Sequence, residues 1–213
     1  MKSPYKGKSV VEWNEITKGL IEAHLLDNEE IVKIILESWE AIFNSKIANL
    51  TMGTDIIPNP QMLGFFIESI TAAKLAEKHP SIWKHGKSKD EKDIVCLTDN
   101  NLSIEMKASS SSGKIFGNRS YAQEQSKNAT KDKSGYYLTV NFEKSDGITV
   151  PKITLIRFGY IEHSDWRAQK SAKGQQANLP PEVYKNKFVT LYEKIKVSKK
   201  EQSVIAKKVK QRK

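Results

Sequence analysis

Cysteine is nearly absent: Cys96 stands alone among 213 residues. One thiol excludes an intrachain disulfide and any cysteine-rich zinc site. Its apolar setting predicts a buried structural thiol, and a reducing cytoplasm fits. Long hydrophobic runs are missing too, and none approaches the roughly 20 residues that a membrane-spanning helix needs. No apolar segment follows Met1-Lys2-Ser3-Pro4-Tyr5-Lys6, so no signal peptide is expected. The histidines (His24, His79, His85, His163) show no HxxxH or HxH spacing, which argues against zinc. His163-Ser164-Asp165 spells the letters of a catalytic triad, but three consecutive residues cannot adopt its geometry. The serines at 109–112 lack the nucleophile-elbow pattern, and Gly7-Lys8-Ser9 lacks the upstream glycine of a phosphate-binding loop.

Positive charge is plentiful but unevenly placed. The net charge is +10. From Lys194 to Lys213 nine Lys/Arg face Glu201 alone, which makes +8, so the first 193 residues carry only +2. The total is therefore weak evidence for a polyanion-binding groove. Internal asymmetry says more. Val11 to Glu68 holds ten acids and three lysines, whereas Trp166 to Phe188 holds Arg167, Lys170, Lys173, Lys185 and Lys187 against Glu182. A polyanion would be steered away from the first segment and toward the second.

Apolar residues at helical spacing predict helices from Val10 to about Leu26, from about Asn28 to Ile47, and from about Gln61 to Lys78 before His79-Pro80. Asp27 or Asn28 is the expected N-cap of the second. Strands are expected at about Asp93–Leu97, Leu102–Ala108, Gly135–Phe142 and Ile153–Ile161. Ser109–Ser134 reads as a polar loop plus a helix around Tyr121–Lys131. Trp166–Pro181 reads as a polar loop, and Val183 to about Lys196 as a last helix or strand. Trp13 and Trp39 are expected in the helical core or a dimer interface. Residues 1–193 are expected to form one domain. The basic stretch 194–213 reads as a tail, either a disordered arm or a short amphipathic helix. Helices first and a mixed sheet after them imply an α/β (α+β) fold.

The chemistry concentrates in the hairpin Lys92-Asp93-Ile94-Val95-Cys96-Leu97, Thr98-Asp99-Asn100-Asn101, Leu102-Ser103-Ile104-Glu105-Met106-Lys107-Ala108. Strand side chains alternate faces, so Glu105 and Lys107 point one way and Ile104 and Met106 the other. A three-residue turn at Asp99–Asn101 would set Asp93 across from Lys107 and diagonal to Glu105. Charges on otherwise apolar strands are costly unless compensated. Glu68, a lone acid in Leu63-Gly64-Phe65-Phe66-Ile67-Glu68-Ser69-Ile70, is a candidate supporting group or further metal ligand. Two carboxylates, Asp93 and Glu105, suit Mg2+, which takes one or two of them and keeps waters for a substrate phosphate. A lysine beside them can orient or deprotonate the attacking water, or neutralise charge on the phosphorane. The same spacing also occurs as an exposed, weakly interacting ion pair.

Asp93, the gap 94–104, and Glu105-Met106-Lys107 together resemble the core of the PD-(D/E)XK nuclease superfamily, with Lys92-Asp93 where that family has Pro-Asp. The helix bearing Glu68 looks like its first core helix. Gly117-Asn118-Arg119-Ser120-Tyr121, Gly159-Tyr160-Ile161-Glu162-His163-Ser164-Asp165-Trp166 and Lys173-Gly174-Gln175-Gln176-Ala177-Asn178-Leu179 are similar to type II restriction endonucleases of the ScaI type. The resemblance implies a restriction-endonuclease-like core over 60–142, a mixed sheet flanked by helices, with 10–50 in the core or at a dimer interface. It implies Mg2+ as cofactor, with Asp93 and Glu105 holding it and Lys107 and Glu68 as the other catalytic residues. It further implies a prokaryotic, cytoplasmic homodimer cutting double-stranded DNA at a short palindrome, and a companion DNA methyltransferase in the host.

Base edges are read by forked or amide side chains, and phosphates by lysines. Candidate readers fall in 109–134 (Lys114, Asn118, Arg119, Ser120, Tyr121) and 163–181 (Arg167, Gln169, Lys170, Lys173, Gln175, Gln176). Both stretches also read as ordinary solvated loops. Two rival functions remain at this stage. A repair or recombination nuclease with the same core would cut by DNA structure, and a DNA-binding protein without catalysis would cut nothing.

Overall fold

The computed structural model describes residues 3–123, 132–147, 149–171 and 174–194. Three helices come first: α1 (Val10–Glu22), α2 (Asn28–Asn44) and, after a two-residue hairpin of β1 (Lys46–Ile47) and β2 (Leu50–Thr51), α3 (Pro60–Lys78). Each start is chemically marked. The Glu12 carboxylate accepts the Ser9 N–H at 2.8 Å, the Asp27 carboxylate accepts the Glu29 and Glu30 N–H groups, and Asn59 accepts from Met62 with Pro60 in the first turn. These contacts satisfy backbone donors that a helix leaves unpaired. The second helix ends at Asn44, three residues short of the expected Ile47, because Lys46 and Ile47 pair with Thr51 and Leu50.

The chain then builds β3 (Trp83–His85), β4 (Ile94–Cys96), β5 (Ile104–Ser109), β6 (Phe116–Asn118), β7 (Gly135–Phe142), β8 (Ile153–Ile161), β9 (Arg167–Ala168), β10 (Gln176–Asn178), helix α4 (Pro181–Asn186) and β11 (Phe188–Glu193). Six of the strands form a mixed sheet in the order β11-β8-β7-β5-β4-β3, with only β5 and β7 parallel. This is the α+β architecture with a central mixed sheet flanked by helices that the sequence implies. Alternation along the strands divides the core. Ile104, Met106, Tyr136, Leu138, Val140, Ile156, Phe158 and Tyr160 join one buried cluster with residues of α1, α2 and α3. On the opposite face Tyr137 joins Ile115, Ile161, Trp166, Ala177, Leu179, Val183 and Phe188 in a second. The central strand β7 is buried along its whole length.

Four expectations are corrected. Trp166–Pro181 is not simply a loop, because β9 and β10 pair within it and add β6 to make a second, three-stranded antiparallel sheet. A lone strand of two or three residues has too little pattern to stand out in sequence. The turn between β4 and β5 is a 3-10 helix, Asn100–Leu102, and the pairing is Ile94↔Ile104. Continuing that register sets Asp93 opposite Glu105 rather than Lys107, although both remain on its face. Around the expected helix Tyr121–Lys131 there is a 3-10 turn, Arg119–Ala122, and 124–131 lie outside the described residues. Lys187 is not a steering charge. It is 1% exposed and donates to Asp165 and Glu162 at 2.8–2.9 Å, beneath the rings of Tyr5 and Trp13. The stretch from Val183 resolves into the end of α4 and β11, and 195–213 lie outside the described residues. No described helix is long and apolar enough to cross a membrane.

His24 fastens the helical layer to the turn before β5. Its Nδ1 accepts the Leu26 N–H at 3.0 Å, which fixes the proton on Nε2, and Nε2 donates to the Leu102 carbonyl at 3.0 Å. The ring packs against Tyr136, Phe158 and Trp83. Burial pushes its pKa down from 6.5 to about 4. The unfolded imidazole takes its proton near 6.5, so between the two values the unfolded state binds more protons. Stability from this group is complete above pH 6.5 and is lost as the pH falls toward 4, by about 3 kcal/mol. Urea unfolding at a series of pH values should show this decline. The His24→Gln protein should be less stable at pH 7.5 and flatter across the window. The Lys187→Met protein should lose about 3–5 kcal/mol, because it strands two carboxylates around a buried position.

Candidate active site

The strand β5 presents Glu105 and Lys107 to a cleft of about 960 Å3. Opposite faces of this strand meet different neighbours. Ile104 and Met106 are fully buried in the helical cluster, whereas Glu105 is 3% exposed and the Lys107 side chain 17%. Lys107 Nζ donates to Glu105 Oε1 at 2.7 Å and to the Met106 carbonyl at 2.9 Å. Burial alone would push the Lys107 ammonium down. Glu105, Tyr121, Asp93 and Glu68 outweigh that and hold it well above the ordinary lysine range. It is therefore a cation at neutral pH.

Asp93 immediately precedes β4. Its Oδ2 accepts the Met106 N–H at 2.6 Å, so the side chain caps the backbone of β5 where the β4 ladder stops. The backbone is held from behind as well, since Gly86 N–H donates to the Asp93 carbonyl at 2.9 Å. A Cβ on Gly86 would collide with the Lys92 carbonyl, so only glycine allows this approach. Lys92 reaches the Ser134 carbonyl and lies over the Tyr137 ring.

Glu68 comes in from α3 and accepts the Ala108 N–H at 3.1 Å. Burial pushes its pKa up to about 7. Lys107 opposes the rise, and Asp93 and Glu105 add to it. Three carboxyl groups thus face one ammonium, a surplus of negative charge that a divalent cation would relieve. Among the described residues no group of three or more His, Cys, Asp or Glu side chains is arranged to hold a metal by itself. The donor set is a pair of hard carboxylates beside a cleft with room for waters, which fits Mg2+, an ion that keeps several of them.

The candidate DNA readers divide. Asn118, Ser120, Tyr121 and Gln176 line the same cleft as Glu68, Glu105 and Lys107. The cross-strand partners Gln176↔Asn118 and the Gln169–Gln176 amide contact at 3.2 Å form a row of three exposed amides across the small sheet. The opposite face carries Gly117 and Ala177, small residues that let it settle on Trp166 and Tyr121. Arg119 N–H donates to the Gln175 carbonyl and its guanidinium to the Gly174 carbonyl. Arg167 folds back onto the carbonyls of Ser164 and Trp166. Lys114, Lys170 and Gln175 are exposed and lie away from the cleft lining, and Lys173 lies outside the described residues. Tyr121 is the misplaced member. It is half-buried, and its hydroxyl donates to Glu105 Oε1 at 2.6 Å.

Sequence reasoning missed Lys89 and Lys133, which line the cleft. Neither has neighbours at a telling spacing. It also missed the support beneath the 109–118 segment. Asn141 Nδ2 donates to the carbonyls of Ser111 and Lys114, Arg157 donates to Gly113 and to Asn141 Oδ1, and the Tyr184 hydroxyl pairs with both backbone groups of Ile115. An Asn and an Arg inside apolar strands were the available signal.

The family model described as ScaI restriction endonuclease matches residues 3–192. A curated relative, "Type II restriction enzyme ScaI" of Streptomyces caespitosus, is 41% identical over 193 residues, covering 89% of this chain and 85% of that protein. A match across nearly the whole described fold places the chain in the ScaI restriction endonuclease family, enzymes that cut DNA at specific sites.

Proposed function

We propose that this restriction endonuclease hydrolyses both strands of DNA at a short palindrome, as a Mg2+-dependent homodimer using Asp93, Glu105 and Lys107. The observation that carries the site is the arrangement on β5, where Glu105 and Lys107 line a cleft walled by exposed amides and Asp93 accepts the N–H of Met106 between them. Asp93 and Glu105 would hold Mg2+. When bound, the ion supplies charge neutralisation at the scissile phosphate and a bound water of lowered pKa. Lys107, cationic in its surroundings, is suited to orienting the attacking water and neutralising charge that builds on the phosphate oxygens, rather than to accepting a proton. Water attacks phosphorus in line, and the P–O bond opposite it breaks. Glu68 fixes the backbone at Ala108 and so holds the C-terminal end of the catalytic strand.

Asn118, Gln169 and Gln176 are suited to base edges in the major groove, where paired donors and acceptors match amides. Lys114 and Lys170 are suited to phosphates, which position without specifying sequence. A two-fold DNA site calls for a two-fold protein, hence the homodimer. Such an enzyme works in the prokaryotic cytoplasm beside a methyltransferase that protects the host's own sites.

Digestion of a sequenced plasmid with Mg2+, followed by mapping of the ends, tests this reading. Discrete fragments ending at one short palindrome are expected. EDTA should abolish cleavage and added Mg2+ restore it. Cutting that follows branched or nicked structure would favour a repair-type nuclease, and salt-dependent binding without cleavage would favour a binding protein. The Glu105→Ala and Lys107→Ala proteins should each lose at least about 100-fold in cleavage rate. Parental rates in both would remove these residues from the site.

A further inference from the structure

We infer that Tyr121 is a positioning residue: its hydroxyl sets the Glu105 carboxylate and ties the hydrolytic site to the small sheet bearing the amide row. The inference rests on the reading of Asp93, Glu105 and Lys107 as that site.

A glutamate side chain is a loose ligand. Its terminal torsion has broad minima, so the carboxylate turns easily unless both its position and its plane are held. In this cleft Glu105 Oε1 accepts two donors, Lys107 Nζ at 2.7 Å and Tyr121 Oη at 2.6 Å. Lysine is a poor anchor by itself, being a point charge on a flexible stem. A phenol is rigid beyond its second torsion, and an O–H donated to a carboxylate is among the strong hydrogen bonds.

The Tyr121 ring is itself held on several sides. Its centroid is 4.9 Å from that of Trp166 in an edge-on contact. Lys107 and Lys133 ammonium groups lie 5.3 and 5.1 Å from it. Against β6 the ring is so close that a Cβ on Gly117 would sit 2.8 Å from Tyr121 Cγ and 3.1 Å from Trp166 Cζ3. Glycine at 117 is thus what admits the ring. Gly117 also lies in β6 between Phe116 and Asn118 and pairs with Ala177 of β10. The link from the sheet to the carboxylate is therefore short. Asn118 ends the strand, Arg119 begins the 3-10 turn, and Tyr121 delivers its hydroxyl to Glu105. A reader of bases would turn its polar end toward the DNA, whereas this one turns it inward.

The test compares the full-length parent with the Tyr121→Phe, Gly117→Ala and Lys107→Ala proteins. Four quantities are measured: thermal melting, DNA affinity without metal, single-turnover cleavage at saturating DNA with Mg2+, and Mn2+ affinity of the DNA-free protein by calorimetry. Tyr121→Phe removes one oxygen and keeps the packing, so it decides the matter. It should melt near the parent, bind DNA within about twofold, cleave about 10- to 100-fold more slowly, and bind Mn2+ about tenfold more weakly. Gly117→Ala, which displaces the ring with its hydroxyl intact, should slow cleavage in the same direction. Weakened DNA binding with unchanged cleavage rate and Mn2+ affinity would make Tyr121 a DNA contact and overturn the inference. So would a Tyr121→Phe protein equal to the parent throughout. Parental cleavage by Lys107→Ala would instead overturn the underlying site.

Discussion

Glu105 and Lys107 sit two residues apart on a central strand whose other face is packed dry against helices. A carboxylate that is 3% exposed survives as an ion only when donors are supplied around it. Much of the local architecture serves that requirement. Lys107 and Tyr121 converge on one oxygen of Glu105, Asp93 takes the Met106 N–H, and Glu68 takes the Ala108 N–H. Alternate backbone donors along β5 are thus met by carboxylates from just before β4 and from α3, while Glu105 and Lys107 line the cleft. Burial pushes Glu68 up to about 7, with Asp93 and Glu105 adding to the rise, and the surrounding carboxylates hold Lys107 cationic. This charge balance is what supports the proposal of a cation and a phosphate there.

The second layer of organisation is the small sheet. Its two faces are unlike by residue size alone. Gly117 and Ala177 allow it to lie close on Trp166 and Tyr121, and the amides of Asn118, Gln169 and Gln176 are left facing outward. Beneath the neighbouring segment, Asn141, Arg157 and Tyr184 use buried hydrogen bonds to fix carbonyls from Ser111 to Ile115. Backbone that reads as polar and irregular in sequence is thus tied to the large sheet between Ser111 and Ile115.

The sequence foretold some elements to the residue and others not at all. β7 and β8 match their expected limits, because Tyr136, Leu138, Val140 and Phe142 alternate cleanly over a long strand. The helices were legible from their apolar stripes and from Asp27 and His79-Pro80 at their ends. The shared face of Asp93, Glu105 and Lys107 was legible from strand parity. The register was not, since the turn at Asn100–Leu102 winds into a 3-10 helix and shifts Asp93 by one pair toward Glu105. Tyr121 and the small sheet were hidden for another reason: their partners are distant in sequence, and strands of two or three residues acquire their form from tertiary contacts. Lys187 shows the limit of counting charges, for a lysine and two acids that meet in the core contribute nothing to steering.

The most direct measurement is anomalous diffraction from crystals of the enzyme with Mn2+ and uncleaved DNA. The account expects a metal peak bonded by the Asp93 and Glu105 carboxylates, with Lys107 Nζ within hydrogen-bond reach of a scissile phosphate or its attacking water. A peak elsewhere, or DNA bound with its phosphate far from β5, would contradict it.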